Sequence, residues 1–445
     1  MSPLPSRTTQ RNSLVKPLIP TALLTASLLA ACSSNPTTPA TQATRPAFVS
    51  AVQVTATDTP AGVAQRLGGT IISWPTDCAG SCTALVGLAE RPAATLGAQS
   101  TGTVEANRDV FSAGGAITAV MGGSRHYMTG SRHYMTGDFT APWSSGTYSP
   151  IPENAPLWQK IGLEQAHSLA PELGAGITVA VIDSGIDLTH PAFQSSLTAS
   201  GTWKDFYGLD NLPQEEGEIG VGAYGHGTNV AGIVLQVAPA AKILPIRVLG
   251  PDGSGDVAGV AQAILYAADQ GAKVINLSLG SLENSSIVED VIRQVTARGV
   301  YVVAAAGNDN QERIVYPAAL ATKKGSFGEY LLSVGSSDLN DLKSSFSNYA
   351  RTLEIVGPGE NVYAPYPDNM VAAWSGTSMA APMMAGGLAL ALGQELRVAG
   401  KDLTKKMAES AFDVYNNGAN EAYKDMLGVK GRVDLVKFLK DTTRQ

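Results

Sequence analysis

A serine among small residues is the first candidate for chemistry. Ser378 lies in segment 376–382, of sequence GTSMAAP, directly before the apolar run Met383–Leu392, which is typical of a helix. A helix start leaves backbone N–H groups unpaired and carries positive dipole charge, so a serine there is well placed beside an oxyanion. An ordinary helix cap is the alternative, since serine and threonine are common caps. The segment alone leaves both interpretations open.

A nucleophilic serine needs a base within hydrogen-bond reach. The chain has five histidines: His126, His133, His167, His190 and His226. Only the last has a close-packed setting, GHGT at 225–228, leading into the predicted helix Val230–Gln236. A helix start disfavours the imidazolium, so we expect His226 to stay a neutral base. We interpret His167 as structural and His190 as a loop residue.

Two polar residues end apolar strands. Asp183 closes the sequence TVAVID at 178–183, and Asn308 follows the run Val300–Ala306. A carboxylate at such a position needs polar partners, and orienting a histidine would supply one. The Asn308 amide could donate to an oxyanion beside the backbone N–H of Ser378. Turn residues that bond to their own backbone are the alternative for both.

The elements that must position these residues alternate along the second part of the chain. Apolar runs typical of buried strands occupy Ile177–Ile182, Ile243–Val248, Val274–Leu277 and Val300–Ala306. Helical periods occupy Val230–Gln236, Val257–Ala268, Ile287–Ala297 and Met383–Leu392, with a closing helix over Val429–Leu439. This alternation predicts an α/β fold with a doubly wound parallel sheet. Sites in such folds lie at the carboxyl ends of the strands.

The N-terminal part reads as an export segment followed by a small domain. Residues 1–32 combine early basic residues, a short apolar run and LAAC at 29–32, typical of a lipoprotein signal with lipid on Cys32; a plain secretory signal is the alternative. Residues 33–46 form a polar linker. Residues 47–112 form a small α+β unit, with strands near Phe48–Ala56, Thr70–Trp74 and Thr83–Leu88 and a helix at Pro60–Leu67.

Residues 113–150 are rich in glycine, serine and threonine and carry a tandem repeat, SRHYMTG at 124–130 and 131–137. Two copies are too few for a repeat fold, so we predict a linker that ends where the domain 151–445 begins. His126 and His133 in the repeat suggest a metal, but we favour duplication within a loop, with no metal function, as their explanation. Cys78 and Cys82 either pair outside the cytoplasm or stay free thiols.

The net charge of −7 and the pI near 5.3 argue against a nucleic-acid surface. No run after the signal segment is long enough to span a membrane. No cysteine follows Cys82, so the C-terminal domain holds neither a catalytic thiol nor a cysteine-based zinc site.

The order of the candidate residues narrows the class. No histidine follows Ser378, which excludes the Ser…Asp…His order of the α/β-hydrolases. The order Asp183, His226, Ser378 and the three motifs around these residues resemble the subtilisin family of serine endopeptidases, over about residues 150–440. The resemblance implies that these three residues form a catalytic triad and that Asn308 is the oxyanion donor.

The same resemblance implies a substrate groove, an inhibitor and a location. The groove would be lined by Ser278, Leu279, Gly280, Gly253, Ser254 and Gly255. The unit 47–112 resembles the family's inhibitory propeptide, with Val104–Asn107 as its last strand. We therefore expect protein or peptide substrates, autoprocessing within about residues 113–150, and an extracytoplasmic protein, either membrane-anchored through Cys32 or secreted after processing.

Some positions depart from the family pattern. Asn229 replaces a common histidine, and Met383-Met384 replaces a common His-Val pair. A loop that helps bind structural calcium in many relatives is missing between Gln236 and Val237, so no metal is predicted. A structural calcium ion stays open as an alternative, but the sequence does not support it. Catalysis is expected to need no cofactor. Val315 stands where many relatives have glycine at the base of the specificity pocket, so we expect a preference for modest apolar side chains.

Two other classes compete with this interpretation. The sequence DSG at 183–185 also fits an aspartic protease, but no second copy occurs, so only a dimer would supply the second carboxylate. A lipid-anchored surface module with an inactive protease fold is the non-enzymatic alternative. Because all three catalytic residue types are present, the sequence favours a serine endopeptidase.

Overall fold

A computed structural model describes residues 45–75, 82–91, 103–112, 151–323, 326–416 and 418–444. The predicted signal segment with Cys32, nearly all of the polar linker, Cys78 and the tandem repeat with His126 and His133 lie outside the described residues. Residues Arg45–Gln445 belong to one unit. Among the described residues, no helix is both long and apolar enough to cross a bilayer.

The small domain is an antiparallel sheet covered on one face by a helix. Its elements are β1 (Phe48–Val54), α1 (Pro60–Leu67), β2 (Thr70–Ser73), β3 (Cys82–Leu88) and β4 (Thr103–Ala106), in the sheet order β2-β3-β1-β4. Thr59 caps α1 by accepting from the N–H of Gly62, and Gly68 ends the helix with φ +66°. Cys82 is disulfide-bonded, and the two other cysteines lie outside the described residues.

The remaining strands belong to the large domain, residues 151–445, or contact it. They are β5 (Asp109–Ser112), β6 (Thr178–Asp183), β7 (Lys204–Asp205), β8 (Lys242–Arg247), β9 (Ser254–Asp256), β10 (Val274–Leu277), β11 (Leu279–Gly280), β12 (Tyr301–Ala305), β13 (Leu331–Ser337), β14 (Ile355–Pro358), β15 (Val362–Tyr366), β16 (Met370–Trp374), β17 (Phe412–Asp413) and β18 (Gly431–Arg432).

The α-helices of the large domain cover both faces of its sheet. They are α2 (Ala155–Ile161), α3 (Leu163–Leu169), α4 (His226–Val237), α5 (Val257–Asp269), α6 (Ser286–Ala297), α7 (Ser326–Tyr330), α8 (Thr377–Leu392), α9 (Leu403–Ser410) and α10 (Leu435–Thr442). Short 3₁₀ helices lie at Pro152–Asn154, Pro191–Phe193, Ser200–Thr202, Ala318–Leu320, Gly400–Asp402 and Glu421–Tyr423.

The main sheet has the order β17-β18-β14-β13-β12-β10-β6-β8-β7 and is parallel except for the pair β17–β18. Alternate residues of β6 enter two separate cores: Val179 and Val181 pack with α4 and α8, and Ala180 and Ile182 pack with α5 and α6. The predicted doubly wound α/β fold is confirmed, because buried parallel strands read as continuous apolar runs.

Three element boundaries differ from the sequence prediction. The helix that carries Ser378 begins at Thr377 rather than Met383, and the helix after His226 begins at His226 itself. The closing helix predicted over Val429–Leu439 is wrong at its start. Gly431, with φ +122°, forms part of β18, and the helix begins only at Leu435, where Asp434 caps it.

Candidate active site

A buried carboxylate–imidazole pair lies at the carboxyl end of β6. Asp183 is the last residue of that strand, and His226 is the first residue of α4. Nδ1 of His226 lies 2.7 Å from Oδ1 of Asp183, and both side chains are 1% exposed. The start of α4 can approach the end of β6 this closely because residue 227 is glycine: a Cβ there would lie 2.1 Å from the carbonyl oxygen of Gly185.

The groups around His226 favour its charged form, the imidazolium, whereas its position at a helix start predicted the neutral form. Burial alone would lower the pKa of His226, but the charge of Asp183, the hydrogen bond to it and the charge of Glu215 together raise this pKa above its ordinary value. The neighbouring carboxylates therefore outweigh the helix dipole, which corrects the sequence expectation. Nε2 of His226 is buried and has no hydrogen-bond partner among the described residues.

Ser378 is the second residue of α8, which packs against α4. Its Oγ lies 3.4 Å from the carbonyl oxygen of Ser278, and the Ser278 hydroxyl donates back to the carbonyl of Ser378 at 2.9 Å. Within the described part of the chain, no hydrogen bond joins Ser378 to His226. The structure thus brings Asp183 and His226 into contact and holds the serine hydroxyl weakly at the neighbouring strand end. Catalytic hydrogen bonds are often loose without a bound substrate.

The Asn308 side chain is oriented by the start of α8. Its Oδ1 accepts from the N–H of Thr377 at 2.8 Å and from the Thr377 hydroxyl at 3.0 Å. Its Nδ2 faces Gly376, where an added Cβ would lie 3.2 Å away. Fixing the oxygen in this way directs the donor end of the amide toward the segment that carries Ser378.

The predicted groove residues flank a strand of the chain's own N-terminal part. β5 lies between β9 and β11 in an antiparallel three-stranded sheet. Ser112 and Phe111 pair with Leu279 and Gly280 on one side. Phe111 and Val110 pair with Ser254 and Gly255 on the other. Of the other two predicted residues, Gly253 forms the turn before β9 and Ser278 contacts Ser378.

The positions that depart from the family pattern have structural uses. Nδ2 of Asn229 donates to the carbonyls of Ala364 and Ala372, and Met383 and Met384 are buried in the core beside α4. Val315 is 6% exposed, and its methyl groups would lie 2.6 Å from a Cβ at Gly280 and 2.8 Å from a Cβ at Gly307. Val315 therefore fills space between two glycines.

The side-chain oxygen of Gln236, beside the missing loop, is occupied by donors of the protein itself. Oε1 of Gln236 accepts from the backbone N–H of Ile151 at 3.0 Å and from Nδ2 of Asn154 at 2.9 Å. The same two protein donors leave this oxygen little capacity for a cation, which needs several oxygen ligands. In the described ranges, no group of three or more His, Cys, Asp or Glu residues could hold a metal.

Two features of the site have weak sequence signals. The segment 109–112, of sequence DVFS, is a short strand without polar–apolar alternation, and its partners lie more than 140 residues away. Glu215 lies in the polar stretch QEE at 214–216, yet it is buried beside Asp183 and His226. Burial of a carboxyl in a polar stretch depends on tertiary contacts that local sequence does not encode.

The fold and the buried pair define a class, an α/β enzyme whose candidate nucleophile is a serine. Comparison with known proteins identifies the family, because residues 174–429 match the Peptidase S8 subtilase family. Thermitase of Thermoactinomyces vulgaris is 40% identical over 238 residues, which cover 51% of this chain and 78% of thermitase. Subtilisin BL of Lederbergia lenta is 40% identical over 226 residues, covering 49% and 76% of the two chains.

A solved structure is also similar: a cold-adapted subtilisin-like serine proteinase with 28% identity and a TM-score of 0.47, covering 59% of this chain and 88% of that one. From the family match and the sequence relatives, the chain belongs to the subtilase family and is a serine-type endopeptidase. The aspartic protease interpretation of DSG at 183–185 is thereby wrong.

Proposed function

We propose that Ser378, His226 and Asp183 form the catalytic triad of this endopeptidase. The observation that carries the proposal is the buried 2.7 Å contact between Asp183 and His226, with Nε2 of the imidazole unpartnered among the described residues. Asp183 orients the ring, so that Nε2 can accept the proton of the Ser378 hydroxyl.

The proposed reaction is acyl transfer. The Ser378 oxygen attacks the peptide carbonyl, and the resulting oxyanion accepts from Nδ2 of Asn308 and the backbone N–H of Ser378. The imidazolium of His226 then protonates the leaving amine, and the acyl-enzyme forms. Water, deprotonated by the same imidazole, hydrolyses the ester and restores the hydroxyl. No metal or cofactor takes part in these steps.

The small domain is proposed to inhibit the enzyme by docking on two helix starts. Its Glu105 carboxylate accepts from the N–H of Ser286 at 3.1 Å and the Ser286 hydroxyl at 2.8 Å, and it contacts the Ser285 hydroxyl, at the start of α6. Oδ1 of Asn107 accepts from the N–H of Ala258 at 2.9 Å, in the first turn of α5. Both satisfy N–H groups that a helix start leaves unpaired.

The register of β5 supports a particular processing point. Ser112 lies opposite Leu279, so antiparallel pairing continued by one residue would set position 113 opposite Ser278. The Ser278 carbonyl is also the group nearest to the Ser378 hydroxyl. We therefore propose self-cleavage of the bond between Ala113 and Gly114, at the start of the predicted linker.

The same alignment suggests the substrate preference. Val110 of β5 is 4% exposed and lies in an apolar cavity with Val257, Leu279 and Val288. Val315 occupies the space where a deeper specificity pocket would need glycine. We propose a small residue, such as Ala113, before the cut and a β-branched or aliphatic residue three positions earlier. Preference for Phe or Tyr before the cut in a peptide library would contradict this.

We also propose that the protein acts outside the cytoplasm, with lipid on Cys32. The sequence of residues 1–32 supports export, and the disulfide at Cys82 supports an oxidising compartment. Labelling with a radioactive fatty acid tests the anchor: wild type should incorporate label into the N-terminal fragment, and C32A should not. If neither protein incorporates the label, the lipid anchor is refuted and residues 1–32 are a plain secretory signal.

Mass spectrometry of the wild type and of S378A tests triad and processing together. Wild type should yield fragments ending at Ala113 and beginning at Gly114, and S378A should remain one chain. A serine-directed fluorophosphonate should label Ser378 in the processed wild type. A processed S378A protein would overturn the assignment of the nucleophile, and a cut elsewhere would overturn the register argument alone.

A further inference from the structure

A buried carboxyl group that the proposed mechanism does not use lies beside the Asp183–His226 pair. Glu215 is 4% exposed although its neighbour Glu216 is 64% exposed at its side chain and pairs with Arg247. The backbone N–H of Glu215 donates to the carbonyl of Ile186 at 3.0 Å, which holds this segment against the loop after Asp183. The position of Glu215 is therefore fixed by the fold.

One hydroxyl connects the two carboxyl groups. Oγ of Ser184 lies 2.7 Å from Oε1 of Glu215 and 3.2 Å from Oδ1 of Asp183, and it accepts from the N–H of Gly227 at 2.9 Å. A hydroxyl has a single proton, so Ser184 can donate to only one of the two carboxylates at a time. The other oxygen of Glu215 accepts from the N–H and the hydroxyl of Thr228, at 3.1 and 2.8 Å.

These contacts define two arrangements. When Glu215 is ionised, the Ser184 proton goes to Glu215, which is the nearer acceptor, and Asp183 keeps the bonds from His226 and from the N–H of Ser184. When Glu215 is protonated, it donates to Ser184, and the Ser184 proton turns to Asp183. An additional donor weakens the hold of Asp183 on the imidazolium, because it stabilises the carboxylate by itself.

We propose that Glu215 is a positioning residue of the triad, which sets through the Ser184 hydroxyl how many hydrogen bonds Asp183 accepts and hence how strongly Asp183 holds His226. This inference rests on the proposed triad. Burial raises the pKa of Glu215 to about 7, so both arrangements are populated in the range where a histidine base titrates. Glu215 thereby adjusts the basicity of His226 without contacting the substrate.

The charged and titratable groups around Glu215 come from several elements. Asp183 and His226 face it from β6 and α4, and Tyr224, whose pKa its charge helps to raise, faces it from the segment before α4. Asp187 acts on the same tyrosine, and its N–H donates to the Thr228 hydroxyl at 2.9 Å. Arg247 donates to the backbone carbonyl of Gln214 and to Glu216 rather than to Glu215.

The test compares E215Q with E216Q. Glutamine at 215 keeps the acceptor for Thr228 and donates permanently to Ser184, so it fixes the arrangement of the protonated acid. E215Q removes a charge that raises the pKa of His226 and also turns the Ser184 proton toward Asp183, so both effects should move the acidic limb of kcat/KM to lower pH, by roughly half a unit together. Plateau kcat should fall roughly threefold with unchanged KM, since a weaker base remains. E216Q removes the same charge at an exposed site and should keep the wild-type profile.

The S184A substitution separates the effect of the Ser184 hydroxyl from the direct electrostatic effect of the Glu215 charge. In the S184A background, the shift caused by E215Q should fall to less than half of its value in the wild-type background. An undiminished shift would overturn the role of Ser184, and an E215Q profile superimposed on that of E216Q would overturn the proposal. Should E215Q fail to fold, a wild-type acidic limb in S184A would overturn it as well. Failure of the fluorophosphonate to label Ser378 in the wild type would instead refute the proposed triad itself.

Discussion

The two domains fill their cores in different ways. The large domain packs helices on both faces of its sheet, and its strands divide their side chains between two large internal clusters. The small domain has a cluster of its own on one face only, formed by Val52, Val54, Val63, Leu67, Ala84, Val86 and Leu88. The opposite face of its sheet packs into the core of the large domain.

Alternation along β3 shows this division directly. Val86 faces α1 within the small domain, and Leu85 belongs to the cluster of the large domain, together with Val49 and Ala51 of β1. A domain of this size buries too little surface to be more than marginally stable alone. We therefore expect folding of the small domain and its docking on the large domain to be coupled.

The largest expected effect is that of L85A in the small domain. Truncation of this fully buried side chain should cost about 2–3 kcal/mol of docking energy, so residues 45–113 supplied separately should inhibit the processed enzyme roughly 30- to 150-fold more weakly. V86A does not touch the enzyme, but coupling should still weaken inhibition roughly fivefold. Unchanged inhibition by V86A would show that the small domain folds independently and would break the comparison.

A medium effect is expected for E105Q. The substitution removes the negative charge of a carboxylate that accepts hydrogen bonds from the N–H and the hydroxyl of Ser286, at the start of α6. Oε2 of the same carboxylate lies 3.8 Å from Nη2 of Arg108. Inhibition constants should rise roughly 5- to 30-fold, equivalent to about 1–2 kcal/mol. D58N makes the same change in charge beside Thr55 and Arg66, within the small domain, and should inhibit as wild type does. Equal loss in both variants would indicate a general charge effect.

The smallest effect concerns the large domain by itself. Burial raises the pKa of Glu354 to about 8, while its Oε2 accepts from the N–H of Ser333 at 3.0 Å. A carboxyl with a raised folded-state pKa stabilises the fold below its unfolded pKa and loses this contribution as the pH rises through 8. Processed E354Q should therefore match wild type at pH 5 and exceed its stability by about 1 kcal/mol at pH 9.

Melting temperatures across pH, with E312Q as an exposed control, measure this effect. Because the Glu354 side chain bonds to Ser333 of β13 and, among the described residues, to no residue of the small domain, inhibition by the small domain should not change. A wild type as stable as E354Q at pH 9 would contradict the raised pKa.

Sequence patterns predicted the strands whose burial is uniform and missed those that depend on specific partners. Val274–Leu277 was predicted with its observed bounds because three of its four residues are apolar, with only Asn276 polar, and all four are buried. β13 carries the buried serines Ser333 and Ser336, whose N–H groups are satisfied by Glu354 and Ser347. Such partners come from elsewhere in the chain, so a local pattern reads that strand as polar.

The candidate site shows the same limit. Asp183, His226, Ser378 and Asn308 were identified by residue type and motif, because a strand end or a helix start gives each a recognisable local sequence. Their mutual geometry was not encoded locally, and neither was the position of Glu215 or of β5. Whether the serine hydroxyl turns toward Ser278 or toward His226 depends on small rotations that no sequence pattern describes.

The pairing of β5 with both β9 and β11 has a consequence for timing. While the bond after Ala113 is intact, the proposed inhibitory strand is part of the same molecule, and its local concentration is independent of how much protein is present. Once that bond is cut, the strand is retained by affinity alone, and dilution governs its release. Cleaved molecules crowded on a surface would therefore stay silent, and the same cleaved molecules dispersed into a large volume would begin to digest their surroundings.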